Sequence, residues 1–299
     1  MNHNSFEEFI KPFSHIQSCS FDAGGGNVLA HLIKNFKIST SFLIDGPSLG
    51  IYSELFPQFF PLNTKSLNSE TDLLISSTGW QSNHEFDFMQ EALLKGIPVV
   101  AVIDHWVEYV ERFERSGKRI SPTIYLALDD FAERKLIQEL KNPIIFRSEN
   151  FYIKKILKEI ADLRKSSTGS TYDFVFIAEP LIRSIENSGW NEYDAIKHFF
   201  NVLRDLDLKN SRIAIKPHPS EYSGKYSESI PNDFESVKID TDYSLSRILS
   251  ESDSVVGCHS MALYIAELSG NKVYTALPPG IISKVPLKKA KPIFSLIEF

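Results

Sequence analysis

The chain is predicted to be an α/β protein of two domains, each built on a parallel sheet. Three observations predict this. Short apolar runs alternate with longer segments whose apolar residues recur every three or four positions, the pattern of repeated βαβ units. The alternation pauses at Arg164-Lys165-Ser166-Ser167-Thr168-Gly169-Ser170-Thr171, the most linker-like stretch, and then restarts. A length of 299 residues suits two domains of about 150 each. The expected domains are 1–165 and 172–299.

In the first domain, strands are expected at 15–21, 41–44, 72–76, 99–103 and 123–128, and helices at 27–36, 85–95, 131–140 and 151–163. The last helix is amphipathic, with Ile153, Ile156, Leu157, Ile160 and Leu163 on one side. In the second, strands at 174–178, 212–215, 237–239, 254–257 and 272–275 alternate with helices at 193–206, 245–249 and 261–268. Right-handed crossovers bring the carboxyl ends of the strands to one edge of each sheet, where α/β domains bind ligands. Two Rossmann-like domains would then face each other across a cleft. Segment 284–299, with Phe294, Leu296, Ile297 and Phe299, leaves two roles open: wrapping back onto the first domain, or docking on a membrane-bound partner.

The composition excludes several classes. Apolar residues make up 42% and charged residues 23%, a globular balance. A formal charge of −6 supplies no basic field, so no nucleic-acid partner is expected. No apolar run approaches the ~18 residues of a membrane span. The first residues, Met1-Asn2-His3-Asn4-Ser5-Phe6-Glu7-Glu8, have neither the basic nor the apolar region of a secretory leader. Cys19 and Cys258 lie far apart in apolar runs and read as buried thiols of a reducing compartment. The expectation is a cytoplasmic protein, with the inner face of the membrane as a peripheral location.

Candidate chemistry sits at the predicted strand ends. In Arg212-Ile213-Ala214-Ile215-Lys216-Pro217-His218-Pro219, an apolar strand stops at two prolines, which remove backbone donors and bias the preceding residues to extended geometry. Lys216 and His218 are thereby held on a stiff loop, an ammonium beside an imidazole, suited to gripping a phosphate. In Asp253-Ser254-Val255-Val256-Gly257-Cys258-His259-Ser260, a buried strand runs into a helix start, where amides and a hydroxyl make a phosphate seat, unless Ser260 is an ordinary N-cap. Glu267, two turns further on, would reach a ribose if the ligand lay along that helix. Glu179 ends the first strand of the second domain before Pro180, either accepting hydrogen bonds from a nucleoside or facing solvent.

In the first domain, Gly24-Gly25-Gly26-Asn27 reads as a strand-to-helix turn, with Gly25 and Gly26 close to substrate or simply making a tight corner. Trp80, in Thr78-Gly79-Trp80, is a candidate sugar platform. His84 and Glu85 follow; Glu85 is a general-base candidate toward an acceptor hydroxyl, and Ser82 with Glu85 also matches a capping box. Asp104-His105-Trp106 combines acid, imidazole and indole at a strand end. That combination suits sugar recognition by Trp106 and acid–base work by Asp104 or His105, unless Asp104 caps a following helix and Trp106 is core.

Lys216-Pro217-His218-Pro219, followed about 40 residues later by the Gly257-Cys258-His259-Ser260 turn, resembles the second half of GT-B glycosyltransferases. The nearest pattern is that of the bacterial sialyltransferases, polysialyltransferases and Kdo transferases of capsule and lipopolysaccharide assembly. The resemblance covers residues 211–270. It implies that His218 holds the phosphate of a CMP-activated sugar, with Ser260 and His259 on the same group. It also implies transfer of an acidic sugar (sialic or nonulosonic acid, or Kdo) to a glycan or glycolipid acceptor. A similar Lys-Pro-His-Pro occurs in polymerases that transfer alditol phosphate from CDP donors. CMP leaves with a single phosphate, whose developing charge His218, Ser260 and helix-end amides can hold, so neither metal nor cofactor is expected. The alternatives are CDP-alditol phosphate transfer, a UDP-sugar enzyme of the same plan, and a non-catalytic subunit that binds nucleotide sugar or glycan.

Overall fold

The computed structural model describes residues 5–62, 65–79, 82–166, 169–181, 189–218, 221–222, 224–240 and 242–297. Trp80 and Pro219 lie outside them. The chain divides into two compact units, Met1–Tyr152 and Ile153–Phe299.

The first unit runs α1 (Phe6–Ile10), β1 (Ile16–Ser20), α2 (Ala23–Phe36), β2 (Thr40–Ile44), α3 (Ser48–Leu55), β3 (Leu73–Ser76), α4 (His84–Leu94) and β4 (Val99–Val102). A hairpin of β5 (Glu114–Arg115) and β6 (Lys118–Arg119) follows, then β7 (Ile124–Ala127), α5 (Asp130–Glu139) and β8 (Ile145–Arg147). The order β2-β1-β3-β4-β7-β8 forms a sheet of parallel pairs. β1, β3, β4 and β7 are buried along their whole length, which is why they read as continuous apolar runs rather than alternating ones. The β5–β6 hairpin turns through Ser116 and Gly117, both at positive φ, the geometry of a two-residue hairpin turn.

The strands expected from sequence are present. The triglycine differs from expectation: it is not a turn but the first turn of α2. A Cβ on Gly25 would stand 2.7 Å from Ser77 Cβ, and one on Gly26 would stand 2.2 Å from Ser48 Oγ. Close packing of α2 on its neighbours therefore accounts for both residues.

The second unit opens near the start of α6 (Phe151–Ser166), whose Arg164 bonds the Leu249 and Ser269 carbonyls and the Asn271 side chain. It continues with β9 (Tyr172–Ile177), α7 (Glu192–Asp205), β10 (Ile213–Lys216), β11 (Val237–Ile239), α8 (Leu245–Ser250), β12 (Ser252–Gly257), α9 (Met261–Leu268), β13 (Lys272–Thr275) and β14 (Lys291–Pro292). The sheet order is β11-β10-β9-β12-β13-β14, again in parallel pairs. Its core joins Phe176, Ile196, Phe199, Phe200, Ile215 and Val256.

The C-terminal segment is built into this second unit. β14 extends the sheet, and Ile293 is fully buried in the unit's core. Glu267 accepts the backbone N–H groups of Lys288, Lys289 and Ala290, so its carboxylate holds the tail rather than standing ready for a ribose. Among the described residues, no helix is long and apolar enough to cross a membrane.

Candidate functional site

Counting strands in chain order, the second sheet reads 3-2-1-4-5-6, and the winding direction reverses between β9 and β12. Such sheets bind ligands outside the strand carboxyl ends at that reversal. β10, β9 and β12 are neighbours there, and each ends in one of the motifs singled out from sequence.

Glu179, just past β9, reaches the start of α9, where its carboxylate accepts a short hydrogen bond from His259 N–H beside the amides of Cys258 and Ser260. The helix N-terminus favours an anion at this place. Removal from water works against it, pushing the Glu179 pKa up to about 7 despite those amides, and the charge of Glu221 adds to the rise. Ser260 caps α9, accepting from Ala262 N–H at 3.1 Å. His259 is buried, and its Nδ1 accepts from Lys284 N–H at 3.2 Å.

On the adjoining loop, Lys216 Nζ donates to the Tyr243 carbonyl at 2.6 Å, and Asp240 fixes that turn by accepting from Tyr243 N–H at 2.8 Å. Burial lowers the Lys216 pKa while Asp240 and Asp242 oppose the fall. Burial likewise lowers the pKa of His218. Glu221 Oε2 accepts from His218 N–H at 2.9 Å, so the loop is closed by a side chain three residues on.

In the first unit the reversal lies between β1 and β3. A polar cluster collects at their carboxyl ends. Ser77 Oγ donates to Ser20 Oγ at 2.8 Å, and Ser20 Oγ lies 3.0 Å from Ser48 Oγ. Glu85 is completely buried, and its Oε1 accepts from Phe21 N–H at 2.9 Å and Ser77 Oγ at 3.1 Å. Gly79 passes so close that a Cβ there would stand 2.3 Å from Asp22 Oδ2 and 2.8 Å from Glu85 Oε1. Arg112 anchors the rim: its Nη1 donates to the Thr78 carbonyl at 3.0 Å, Thr78 Oγ1 at 2.7 Å and Asp104 Oδ1 at 2.7 Å. Arg115 Nη2 adds a bond to the Gly79 carbonyl at 2.7 Å. The other oxygen of Asp104 approaches the first turn of α2, 3.5 Å from a Cβ position on Gly24.

No family model and no curated protein sequence matches the chain. Solved structures do. UDP-GlcNAc 2-epimerase from Neisseria meningitidis, bound to UDP-GlcNAc, superposes with a TM-score of 0.63 at 11% identity, over 88% of this chain and 82% of that one. The Methanocaldococcus jannaschii UDP-GlcNAc 2-epimerase, in complex with UDP-GlcNAc and UDP, gives 0.61 at 14% identity, over 95% and 90%. A putative UDP-N-acetylglucosamine 2-epimerase from Listeria monocytogenes gives 0.58 at 12%, over 87% and 78%. The chain has their fold, two Rossmann-like units of the GT-B type.

Several expectations change against this geometry. Ser82 and Glu85 do not form a capping box: Asn83 is the N-cap of α4, Ser82 Oγ accepts from His84 N–H, and Glu85 turns to Phe21 and Ser77 instead. With no exposure, Glu85 is not positioned to take a proton from an acceptor. Asp104 caps no helix, because the chain after it is a loop with one short 3-10 turn, Glu111–Phe113. Trp106 is buried and donates its indole N–H to Asp129 Oδ2 at 2.6 Å, so its ring is core rather than a sugar platform. His105 is half-buried against Trp106, ring centroids 5.4 Å apart. His84 bonds the Leu43 carbonyl and lines an open cavity of ≈ 600 Å³ with Asp45, Lys65, Asp87 and Glu91.

Asp22, Arg112, Glu221 and Lys225 were not among the sequence candidates. Asp22 and Glu221 carried a signal, standing directly after a strand end and directly after the His218 loop. Arg112 carried none, since its partners include Thr78, 34 residues away.

Proposed function

We propose that the protein is a sugar-nucleotide enzyme, a glycosyltransferase whose second unit binds the donor at the carboxyl ends of β10, β9 and β12. The single observation that carries this is the convergence of Lys216, His218, Glu179, His259 and Ser260 on three neighbouring strand ends at the winding reversal. The donor phosphate sits beside the start of α9, where the end of the helix favours an anion, within the group formed by Lys216, His218 and Ser260. Lys216 supplies positive charge, and His218, whose pKa burial lowers, supplies a ring N–H hydrogen bond as the leaving group departs. The finer reading is a CMP-activated acidic sugar, for which the Lys216-to-Pro219 and Gly257-to-Ser260 motifs speak.

On the acceptor side, Asp22 is the preferred general base. It stands at the reversal of the first sheet, between β1 and the start of α2. The acceptor is a glycan or glycolipid, presented by membrane-associated assembly machinery.

One observation favours a second reading. Two of the solved structures that superpose over most of the chain contain UDP-GlcNAc, one of them with UDP as well, so a UDP-sugar enzyme, epimerase included, is the alternative.

A thermal-shift series with CMP, CDP, UDP, GDP and ADP tests both readings. Selective stabilisation by CMP, followed by slow hydrolysis of a CMP-sugar without acceptor, is the expected result. Preference for UDP moves the assignment to the second reading. No shift with any nucleotide overturns both.

A further inference from the structure

The loop carrying Lys216 and His218 is tied down by more than Pro217. Glu221 Oε2 accepts from His218 N–H, and its Oε1 accepts from Tyr226 Oη at 2.7 Å and Lys225 Nζ at 2.7 Å. Lys225 spends a second bond on Glu192 Oε1, also at 2.7 Å. The side chains of Glu192, Glu221 and Lys225 are only 3%, 4% and 11% exposed. Two carboxylates thus share one ammonium out of water. Burial would lower the Lys225 pKa, yet its bonds to Glu192 and Glu221 leave it raised.

A buried ion triad is a poor way to stabilise a fold, because desolvation cancels most of the attraction and apolar replacements often do as well. Its placement points elsewhere. One end is fastened to α7, through Glu192 at the first position of a helix with a complete capping box and a core-facing side of Ile196, Phe199 and Phe200. The other end is fastened to the backbone of His218. β10 does not need the triad, since its register runs to Lys216 against β9 and to Ile215 against β11.

We infer that Glu221 and Lys225 are positioning residues, a charged strut from α7 that sets where the His218 imidazole stands and what charge it meets. This rests on the donor-binding role proposed for His218. The charged groups facing His218 are Glu221 and Lys225, with Glu192 behind them on α7. Burial depresses the His218 pKa, Glu221 pulls it up and Lys225 pushes it down.

The two possible roles of Glu221 have opposite signatures in Glu221→Gln. If Glu221 positions and charges the site, removing its charge moves the His218 titration further down. If it is a mere brace, loosening the loop admits water, and the titration rises toward the ordinary histidine value near 6.5.

The experiment is an NMR titration of His218 in the full chain, assigned with His218→Asn, together with calorimetric binding of whichever of CMP and UDP stabilises the wild type. The expected result is a lowered His218 titration with nucleotide affinity reduced about tenfold or more, the cost of losing a charged partner. A rise in the titration, or affinity within about twofold of wild type, overturns the inference while leaving the donor-site reading intact. If Glu221→Gln does not fold, Glu221→Asp keeps the charge and withdraws it by one methylene. Its titration should then stay close to wild type while affinity falls several-fold, and unchanged affinity overturns the strut. If neither nucleotide binds the wild type, the donor-site reading fails, and the direction of the His218 titration alone decides the strut.

Discussion

Glu179→Gln tests how an acidic residue survives at the start of α9. Glutamine keeps the shape and a carbonyl that can accept from His259 N–H, but it cannot ionise. In the wild type, burial raises the pKa from 4.5 to about 7. An acid whose folded pKa lies above its unfolded value favours the folded state at low pH. The contribution is complete below pH 4.5 and is lost as pH rises through about 7. The full difference corresponds to roughly 3 kcal/mol, an upper figure because the residue is only half-buried. At roughly 2–4 °C per kcal/mol for a domain of this size, Glu179 should draw the melting temperature down by about 4–10 °C between pH 5 and pH 8.

The assay is scanning calorimetry of wild type and Glu179→Gln across that range in phosphate-free buffer. Subtracting the two curves cancels the other titrating groups. The difference should fall between about pH 4.5 and pH 7 and level off above that. A flat difference would refute the reasoning, because it would mean that the α9 amides compensate the carboxylate charge in full.

Three further outcomes are expected. Arg112→Met strands the Asp104 carboxylate and the Thr78 carbonyl at a mostly buried site, so urea unfolding should show a loss of about 3 kcal/mol; a loss below about 1 kcal/mol would mean water takes over its bonds. Gly79→Ala puts a methyl 2.3 Å from Asp22 Oδ2 and should cost about 1–3 kcal/mol, whereas Gly50→Ala, in α3 with nothing within 4 Å of the new carbon, should gain about 0.5–1 kcal/mol. Equal effects at the two glycines would discount the crowding at the first. His218→Ala should lower turnover of the nucleotide sugar by more than about tenfold, the scale of one lost contact to a developing charge; retained turnover would remove His218 from the site.

The strand ends could be read from the chain because their signals are local. A buried parallel strand is a short apolar run, and prolines or a glycine followed by a polar pair stop it. Lys216, His218, Glu179, His259 and Ser260 could therefore be put at strand ends, and the structure brings those ends together. Local patterns misled where a distant partner competed. Ser82 and Glu85 have capping-box spacing, but the Phe21 amide, 64 residues earlier, claims the carboxylate. Trp106 has the company of a sugar-binding indole, but Asp129 takes its N–H. Glu267 lies two turns beyond Ser260, but the amides at 288–290 occupy its carboxylate.

By itself the sequence determined the α/β class, the positions of most strands and the presence of a phosphate-suited loop, since these follow from apolar periodicity and from residues that cannot continue a strand. Only the tertiary structure decided which acids are enclosed, which are paired and which stand at a winding reversal. A carboxylate's chemistry depends on its desolvation and its hydrogen-bond donors, and those donors come from strands and helices tens of residues away that meet only when the sheet closes.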